Sequence, residues 1–408
     1  MRIVSLVAHV PYAGIPHAGG QYVLAHLRAL CARGHEVTVV APDWRGNGEN
    51  ARLLRAELGI DVIVCPPRTS GRLAEWWDTQ QIRLFPVRPP RRYRRAVLQS
   101  RSARAAFARG ELIEAQWAEM GWLALSARTI GSRAQRVVTA HDVIAQTYDR
   151  ILATTRRGTP ARLLGLWRRR SVSRDEGRLY REMDTVIVFS EKDAAYVRRV
   201  SGGRARTAVL RPPFDGGACG APTAPPEGPP TVLFVGAFFR DVNAQAAEWL
   251  LTEIVPLVRA VRPDVRFLLA GAGPTPAMRE AAAVDPLIEV TGEVVSLDAS
   301  YEAATAVVVP LRMGAGLKFK TVEAMMRGIP VVSTSVGAEG LVGEGVTGGL
   351  MIDEDAAGLA SALLRVLEDP PAAWRAAVPA REWARSAFSS ETFPARAEDA
   401  LLGYGGAR

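Results

Sequence analysis

The chain has 408 residues, 48% of them apolar and 23% charged, ordinary proportions for a globular protein and enough length for two domains with a core each. Cys31, Cys65 and Cys219 are odd in number, widely spaced and outside any C-x-x-C pair, which argues against a disulfide framework or a cysteine metal site and for a reducing compartment. Residues 1–228 hold 36 basic against 20 acidic side chains (+16) and residues 229–408 hold 15 against 22 (−7), giving the net +9. A basic half suits an anionic lipid surface, a phosphorylated acceptor or nucleic acid, although an arginine-preferring genome would produce part of the excess.

RIVSLVA (2–8) reads as the first strand, since it is too short for a signal-peptide core. A glycine-containing loop follows, then a helix from about Tyr22 to Arg33 with Val23, Leu24, Leu27, Leu30 and Cys31 on one face, then the strand in RGHEVTVVAP. This is a βαβ unit without G-x-G-x-x-G, so a dinucleotide fingerprint is not supported. IDVIVCPP (60–67) is a third strand. Residues 68–110 combine a helical pattern, GRLAEWWDTQQIRLF, with a proline-broken basic segment carrying Arg91, Arg92, Arg94 and Arg95 and then a basic helix. Few aromatics and no recognition fold argue against nucleic acid there. A solvated basic face is the plain reading, and contact with an anionic membrane surface or acceptor is the alternative.

LIEAQW (112–117) and RVVTAHD (136–142) are two more strands with a helix between them. His141 closes the second, at a carboxyl tip where ligands sit in such sheets, and a structural histidine is the alternative. A long amphipathic helix is expected over 160–183, with Leu163, Leu164 and Trp167 on one face, followed by the strand DTVIVFS and a helix. RPPFDGGACGAPTAPPEGPP (211–230) is a linker by composition. Strand–helix alternation then restarts through TVLFVGAF, NAQAAEWLLTEIVPLVRAV, VRFLLAGAG and IEVTGEV, so the second half has a parallel sheet of its own. No apolar run approaches the ~18 residues of a membrane span.

The stretch AVVVPLRMGAGLKFKTVEAMMRGIPVVSTSVGAEGL (306–341) reads as buried strand, glycine loop, helix, buried strand, glycine loop. Gly314 and Gly316 let backbone amides approach a ligand, and the helix that follows directs its dipole and unpaired N–H groups at an anion. Lys318 and Lys320 stand in that first turn, although the chain has only one other lysine, Lys192. The dipole disfavours cations there, so an anion should offset them. Glu323, one turn on, is an acceptor for vicinal hydroxyls. Together these describe a nucleoside diphosphate; a structural glycine turn with surface lysines is the alternative.

This stretch resembles the donor-binding region of the family 4 (group 1) glycosyltransferases of the GT-B type, in the branch that writes G-A-G before the helix. The resemblance extends over most of the chain. It implies an α/β GT-B fold, two Rossmann-like domains with parallel sheets facing an interdomain cleft. Residues 1–212 would form the acceptor domain, 213–229 the linker, 230–384 the nucleotide-sugar domain, and 385–408 a helix returning to the first domain. The resemblance places Gly19 and Gly20 opposite the donor phosphates and His17 near the acceptor, and gives His141 the place of an active-site histidine beside the reacting sugar. In the loop GAFFRDVN, Gly236 and Arg240 match a phosphate-gripping loop. Asn243 stands where many members carry a basic residue, which leaves the diphosphate to Lys318 or Lys320. Of two glutamates usually eight residues apart, Glu323 matches the second, for the ribose. Ala315 replaces the first, leaving the sugar hydroxyls to the amides of Gly314, Ala315, Gly316 and Leu317.

The function implied is retaining transfer of a sugar from a nucleotide diphosphate donor to an acceptor hydroxyl, without metal or other cofactor. The acceptor would be an envelope glycan, a lipid-linked group or a small secondary metabolite, and the location cytoplasmic or peripheral to the inner membrane face. No D-x-D motif is present, in keeping with protein cations replacing magnesium. The competing readings are a nucleotide-sugar epimerase on the same architecture, for which five histidines offer no convincing acid–base set, and a non-catalytic protein binding anionic lipid or nucleic acid through its basic half.

Overall fold

The computed structural model of the protein describes residues 1–403 apart from 16–17, 45, 70, 215–223, 315, 342 and 344–347. The chain forms two compact units, Met1–Pro213 with Ser390–Arg408, and Phe214–Ser389.

The first unit is a seven-stranded parallel sheet of β1 (Arg2–Leu6), β2 (Glu36–Pro42), β3 (Asp61–Cys65), β4 (Leu112–Gln116), β5 (Gln135–Thr139), β6 (Thr185–Val188) and β7 (Arg206–Val209), in the order β3-β2-β1-β4-β5-β6-β7. Its helices are α1 (Ala18–Ala32), α2 (Asn47–Leu58), α3 (Arg72–Leu84), α4 (Arg91–Gln99), α5 (Arg101–Arg109), α6 (Ala118–Ala127), α7 (Ile144–Thr154), α8 (Pro160–Glu182) and α9 (Glu191–Ser201). Helices cover both faces, which is why the central strands read as unbroken apolar runs. Local chemistry sets the helix starts: Thr159 caps α8 with Pro160 at the first helical position, and Ser190 caps α9 through the Asp193 amide. On α8 the periodicity finds a face but not what covers it. Leu163, Leu164 and Trp167 are 67%, 46% and 48% exposed, and apart from Gly165 its buried residues lie further along, from Val172 to Tyr180.

The second unit is a six-stranded parallel sheet of β8 (Thr231–Val235), β9 (Arg266–Ala270), β10 (Ile288–Gly292), β11 (Ala306–Val309), β12 (Val331–Ser333) and β13 (Leu350–Ile352), ordered β10-β9-β8-β11-β12-β13. Around it lie α10 (Asp241–Trp249), α11 (Val255–Arg259), α12 (Pro276–Val284), α13 (Asp298–Glu302), α14 (Phe319–Met326), α15 (Ala356–Glu368) and α16 (Pro370–Ala387). The expected helix over 243–261 is one rod with a π-helical turn at Leu250–Ile254 between α10 and α11. Pro256 explains it: the ring has no N–H and would clash with the carbonyl four residues back, and the wider turn relieves both.

The helical pattern across 385–402 divides. Helix α16 ends at Ala387, and α17 (Phe393–Leu402) begins after a break and packs on the first unit. Phe393 lies edge-on to Tyr22 and His26 of α1, Glu398 pairs with Arg33 and His35, and the Arg206 guanidinium donates to the Ala400 carbonyl. Among the described residues no helix is long and apolar enough to cross a membrane.

Candidate active-site residues in two units

Both sheets reverse strand order next to their first strand, between β1 and β4 and between β8 and β11. In open parallel sheets, loops leaving the carboxyl ends on either side of such a reversal diverge and leave a crevice for ligands. In the second unit the candidate residues sit on these loops and on the helices α10 and α14 that follow them; in the first, Gly19 and Gly20 open α1 after β1, and His141 follows β5.

In the second unit, the loop after β8 carries Gly236 and Arg240, and the loop after β11 carries Gly314, Gly316, Leu317 and Lys318. Ala315 and His17 lie outside the described residues. Gly314 and Gly316 have φ of 118° and 76°, backbone that a side chain strains, which is why glycine flanks the loop. Helix α14 starts at Phe319 with Lys318 as its N-cap, one residue later than the pattern suggested, and has no side-chain cap and no acidic residue in its first turn. Its packed face carries Val322, Met325 and Met326, spaced i, i+3 and i+4 and all buried.

Lys320 is drawn back from the helix surface. Its Nζ donates to Asn243 Oδ1 at 2.9 Å and lies 4.8 Å from the centre of the Phe234 ring. Asn243 is itself buried, and its amide donates to the Ala237 carbonyl at 2.9 Å. Burial, then the charges of Lys318 and Arg240, push the Lys320 ammonium down to about 7. Lys318 Nζ reaches the Gly316 carbonyl at 2.5 Å and Glu339 at 3.5 Å. Arg240 is exposed. Three cationic side chains thus converge on a helix N-terminus, and their mutual repulsion, offset at Lys318 by Glu339, makes the place electropositive.

Glu323 is fixed from two sides. Tyr301 donates its hydroxyl to Oε2 at 3.1 Å, and Arg327 donates to Oε1 at 3.2 Å while also holding Asp298. Burial raises the Glu323 carboxyl above its usual range despite the opposing Arg327 charge. Each oxygen keeps a second lone pair for a hydroxyl.

In the first unit, His141 is 7% exposed. Trp117 stacks on its ring at 4.2 Å, and Tyr22 and Phe189 meet it edge-on at 5.1 Å each. Its Nε2 is 3.0 Å from Gln116 Oε1, a contact that the Nε2–H tautomer satisfies by donating to the amide oxygen. Gly19 and Gly20 fall in the first turn of α1, where a loop was expected. A Cβ on Gly19 would come within 2.9 Å of the Trp117 ring, so this turn of helix presses against the Trp117–His141 stack, and that packing outweighs glycine's poor helix propensity.

Sequence reasoning missed four neighbours of His141: Trp117, Gln116, Tyr22 and Phe189. Trp117 has φ 72° and is the one non-glycine residue with positive φ among those described; such strain costs about 1–3 kcal/mol and persists where surroundings enforce it. Its N–H donates to the Thr139 carbonyl of the neighbouring strand, and its own carbonyl accepts from the Met120 and Gly121 N–H groups in the first turn of α6. Gln116 is the ring's partner. Glu114, two residues before it on the same face of β4, binds His26 Nε2 at 2.7 Å with both side chains fully buried. Burial acts to raise the Glu114 carboxyl, but the His26 charge and hydrogen bonds outweigh it and hold the group low. The signal was in LIEAQW, where a buried strand carries Glu and Gln at i and i+2.

Two family descriptions match the chain: "Glycosyl transferase 4-like domain" over residues 18–213 and "Glycosyl transferases group 1" over 229–369. Glycogen synthase from Mycobacterium tuberculosis is 30% identical over 277 residues, 63% of this chain and 66% of that protein. A Klebsiella pneumoniae protein, described as an uncharacterized 44.6 kDa protein in the cps region, is 33% identical over 118 residues, 27% of this chain and 30% of its own length. The chain therefore spans less than two thirds of these curated relatives. Among solved structures, sucrose-phosphate synthase from Thermosynechococcus elongatus has the same fold, with TM-score 0.68 and 20% identity over 100% of both chains. So does HepE from Anabaena, solved with UDP and glucose, with TM-score 0.64 and 16% identity over 99% of this chain and 100% of that one. With both halves matched and a parallel Rossmann-like sheet in each, the chain belongs to the family 4, group 1 glycosyltransferases and has the GT-B fold.

Proposed function

We propose that the protein transfers a sugar from a nucleotide diphosphate donor to an acceptor hydroxyl, with retention at the anomeric carbon and without a metal ion. The observation that carries this reading is the convergence of Lys318, Lys320 and Arg240 on the uncapped N-terminus of α14. A leaving diphosphate gathers negative charge as the glycosidic bond breaks. Fixed ammonium groups and amides aimed at that charge stabilise it without reorganising. Asn243 holds Lys320 in place, the Gly314–Leu317 amides take the donor sugar, and Glu323 takes the ribose hydroxyls.

In this reading His141 and its neighbours serve the reacting sugar. The imidazole is locked by Trp117, Tyr22, Phe189 and Gln116, so it offers a fixed polar edge instead of a mobile base. A diphosphate oxygen on the same face as the acceptor draws the acceptor proton, so no second carboxylate is required. HepE was solved with UDP and glucose, and with UDP-glucose, which favours trying uridine donors first. The acceptor is a glycan, a lipid-linked group or a small metabolite.

The test is a thermal-shift panel of UDP, GDP, dTDP and ADP with EDTA present, followed by transfer assays with sugars of the base that stabilises. A ligand that binds only the folded protein raises its melting temperature, by about 2.7 kcal/mol of stability at a hundred times its Kd. An epimerase would instead convert the donor with no acceptor present.

A further inference from the structure

Helix α3 is built inside out. Its single buried residue is Asp78, while Leu73, Trp76, Trp77 and Leu84 are 75%, 52%, 57% and 43% exposed, and Phe85 just beyond is 40% exposed. The two indoles touch edge-on at 4.9 Å. A helix that turns its large apolar groups to solvent and buries a carboxylate is arranged for an environment other than water on its outer side.

The inner side explains the carboxylate. Asp78 accepts from Arg92 Nε at 2.5 Å, and Arg92 also reaches the Thr69 carbonyl at 2.7 Å and the Tyr93 hydroxyl at 3.0 Å. This pair joins α3 to α4 and forms one wall of a cavity of about 480 Å³. Arg68, Arg91 and Arg95 also line it, as do Gln81 and the edge of Trp77. Four guanidinium groups against one carboxylate leave the lining at +3. Among the described residues Arg68, Arg91 and Arg95 have no ion-pair partner, so their charge is available to a ligand. The N-terminal turn of α4 has no side-chain cap from Pro90 and no acidic residue, although Gln81 Oε1 already accepts from the Arg91 amide at 3.2 Å.

We propose that this cavity receives the phosphate of an anionic membrane lipid while the outer face of α3 rests in the lipid interface. The two features require each other. A free phosphate would account for the arginines, whose planar donors suit phosphate oxygens, but not for Trp76, Trp77 and Leu73 outside the rim. A purely apolar partner would account for the indoles but not for the charge. Indoles at headgroup depth beside clustered arginines match an anionic lipid surface on both counts. The charge is local as well: residues 68–99 hold eight arginines against Glu75 and Asp78. This inference does not depend on the donor reading, since its residues are separate from those assigned to the diphosphate.

The experiment is co-sedimentation of the full chain with vesicles of phosphatidylcholine alone and of phosphatidylcholine with phosphatidylglycerol. We expect binding only to the second kind. Arg91→Gln/Arg95→Gln should lower the partition coefficient about 25-fold, two steps of about fivefold each for a basic residue at an anionic surface. Trp76→Ser/Trp77→Ser should lower it at least about tenfold through lost interfacial burial. All four positions are exposed, so unchanged melting temperatures would show that the fold is intact. Arg101→Gln/Arg104→Gln on the neighbouring α5 should keep nearly full binding. The proposal is overturned if the chain ignores phosphatidylglycerol, if the α5 variant loses as much as the α4 variant, or if calorimetry shows the cavity taking inorganic phosphate while vesicles go unbound.

Discussion

Lys320 Nζ donates to Asn243 Oδ1 across 2.9 Å, joining the helix after β11 to the helix after β8. The two strands are neighbours at the point where the sheet reverses, and the bond holds an ammonium group beside the amide-rich mouth of α14. An amide oxygen fixes the cation without neutralising it. Paired with a carboxylate, Lys320 would have less charge to offer a diphosphate.

Lys320→Met should abolish nucleoside diphosphate binding and also stabilise the ligand-free protein at low pH. Burial and like charges hold the ammonium near 7 in the fold, far below its unfolded value of ~10.4. The penalty is therefore full below about pH 7 and fades as pH rises toward the unfolded value. The methionine variant should gain several degrees in Tm at pH 6 and less at pH 9, as a differential-scanning series would show. A loss of Tm at both values would mean that the bond to Asn243 outweighs the desolvation.

Diphosphate affinity itself should depend on pH. An anion beside Lys320 raises its pKa on binding, so the complex takes up a proton wherever the free lysine is partly neutral. Below about pH 7 affinity should be flat, and above that it should fall. Calorimetry with a nucleotide sugar, whose diester phosphates stay ionised throughout this range, in buffers of different ionisation enthalpy would detect proton uptake at pH 8 and almost none at pH 6.

Glu323→Ala should weaken donor binding by about 1.5–3 kcal/mol, the range for a lost hydrogen bond to a charged group. It also strips an acceptor from Tyr301 and a carboxylate from Arg327, so Tm should drop as well. Glu323→Gln keeps an acceptor for Tyr301 and should recover part of the stability. Donor binding unchanged in both variants would remove Glu323 from the site.

Gly19→Ala should lower stability by about 1–3 kcal/mol, the usual cost of overpacking, because the new methyl meets Trp117 at 2.9 Å. It should also change the near-ultraviolet circular dichroism of the Trp117–His141 stack. If His141 serves the reacting sugar, turnover should fall more than donor affinity.

Local pattern carried much of this architecture. Buried β-branched runs marked the strands of both units, and the glycine loop with its two lysines marked the mouth of α14. What stayed hidden depends on partners far apart in sequence. Nothing in LIEAQW says that Glu114 meets His26, 88 positions away, or that Trp117 turns to positive φ and covers His141. Glycine propensity favoured a loop at Gly19 and Gly20, and contact with Trp117 made it helix. The spacing of Leu163, Leu164 and Trp167 gave a face, but only the fold shows that face uncovered. The run Arg91–Arg95 read first as solvated charge, with an anionic membrane surface or acceptor as the alternative, and the cavity under Arg92 appears only once α3 and α4 are placed together.

The most direct test of the central claim is calorimetric titration of the preferred nucleoside diphosphate, chosen by the thermal-shift panel, into the protein in excess EDTA. Lys318→Met/Lys320→Met is run alongside. Binding that persists without metal and disappears in the double variant is the expected result. Binding that requires added magnesium, or that survives loss of both lysines, would contradict a diphosphate held by ammonium groups at α14.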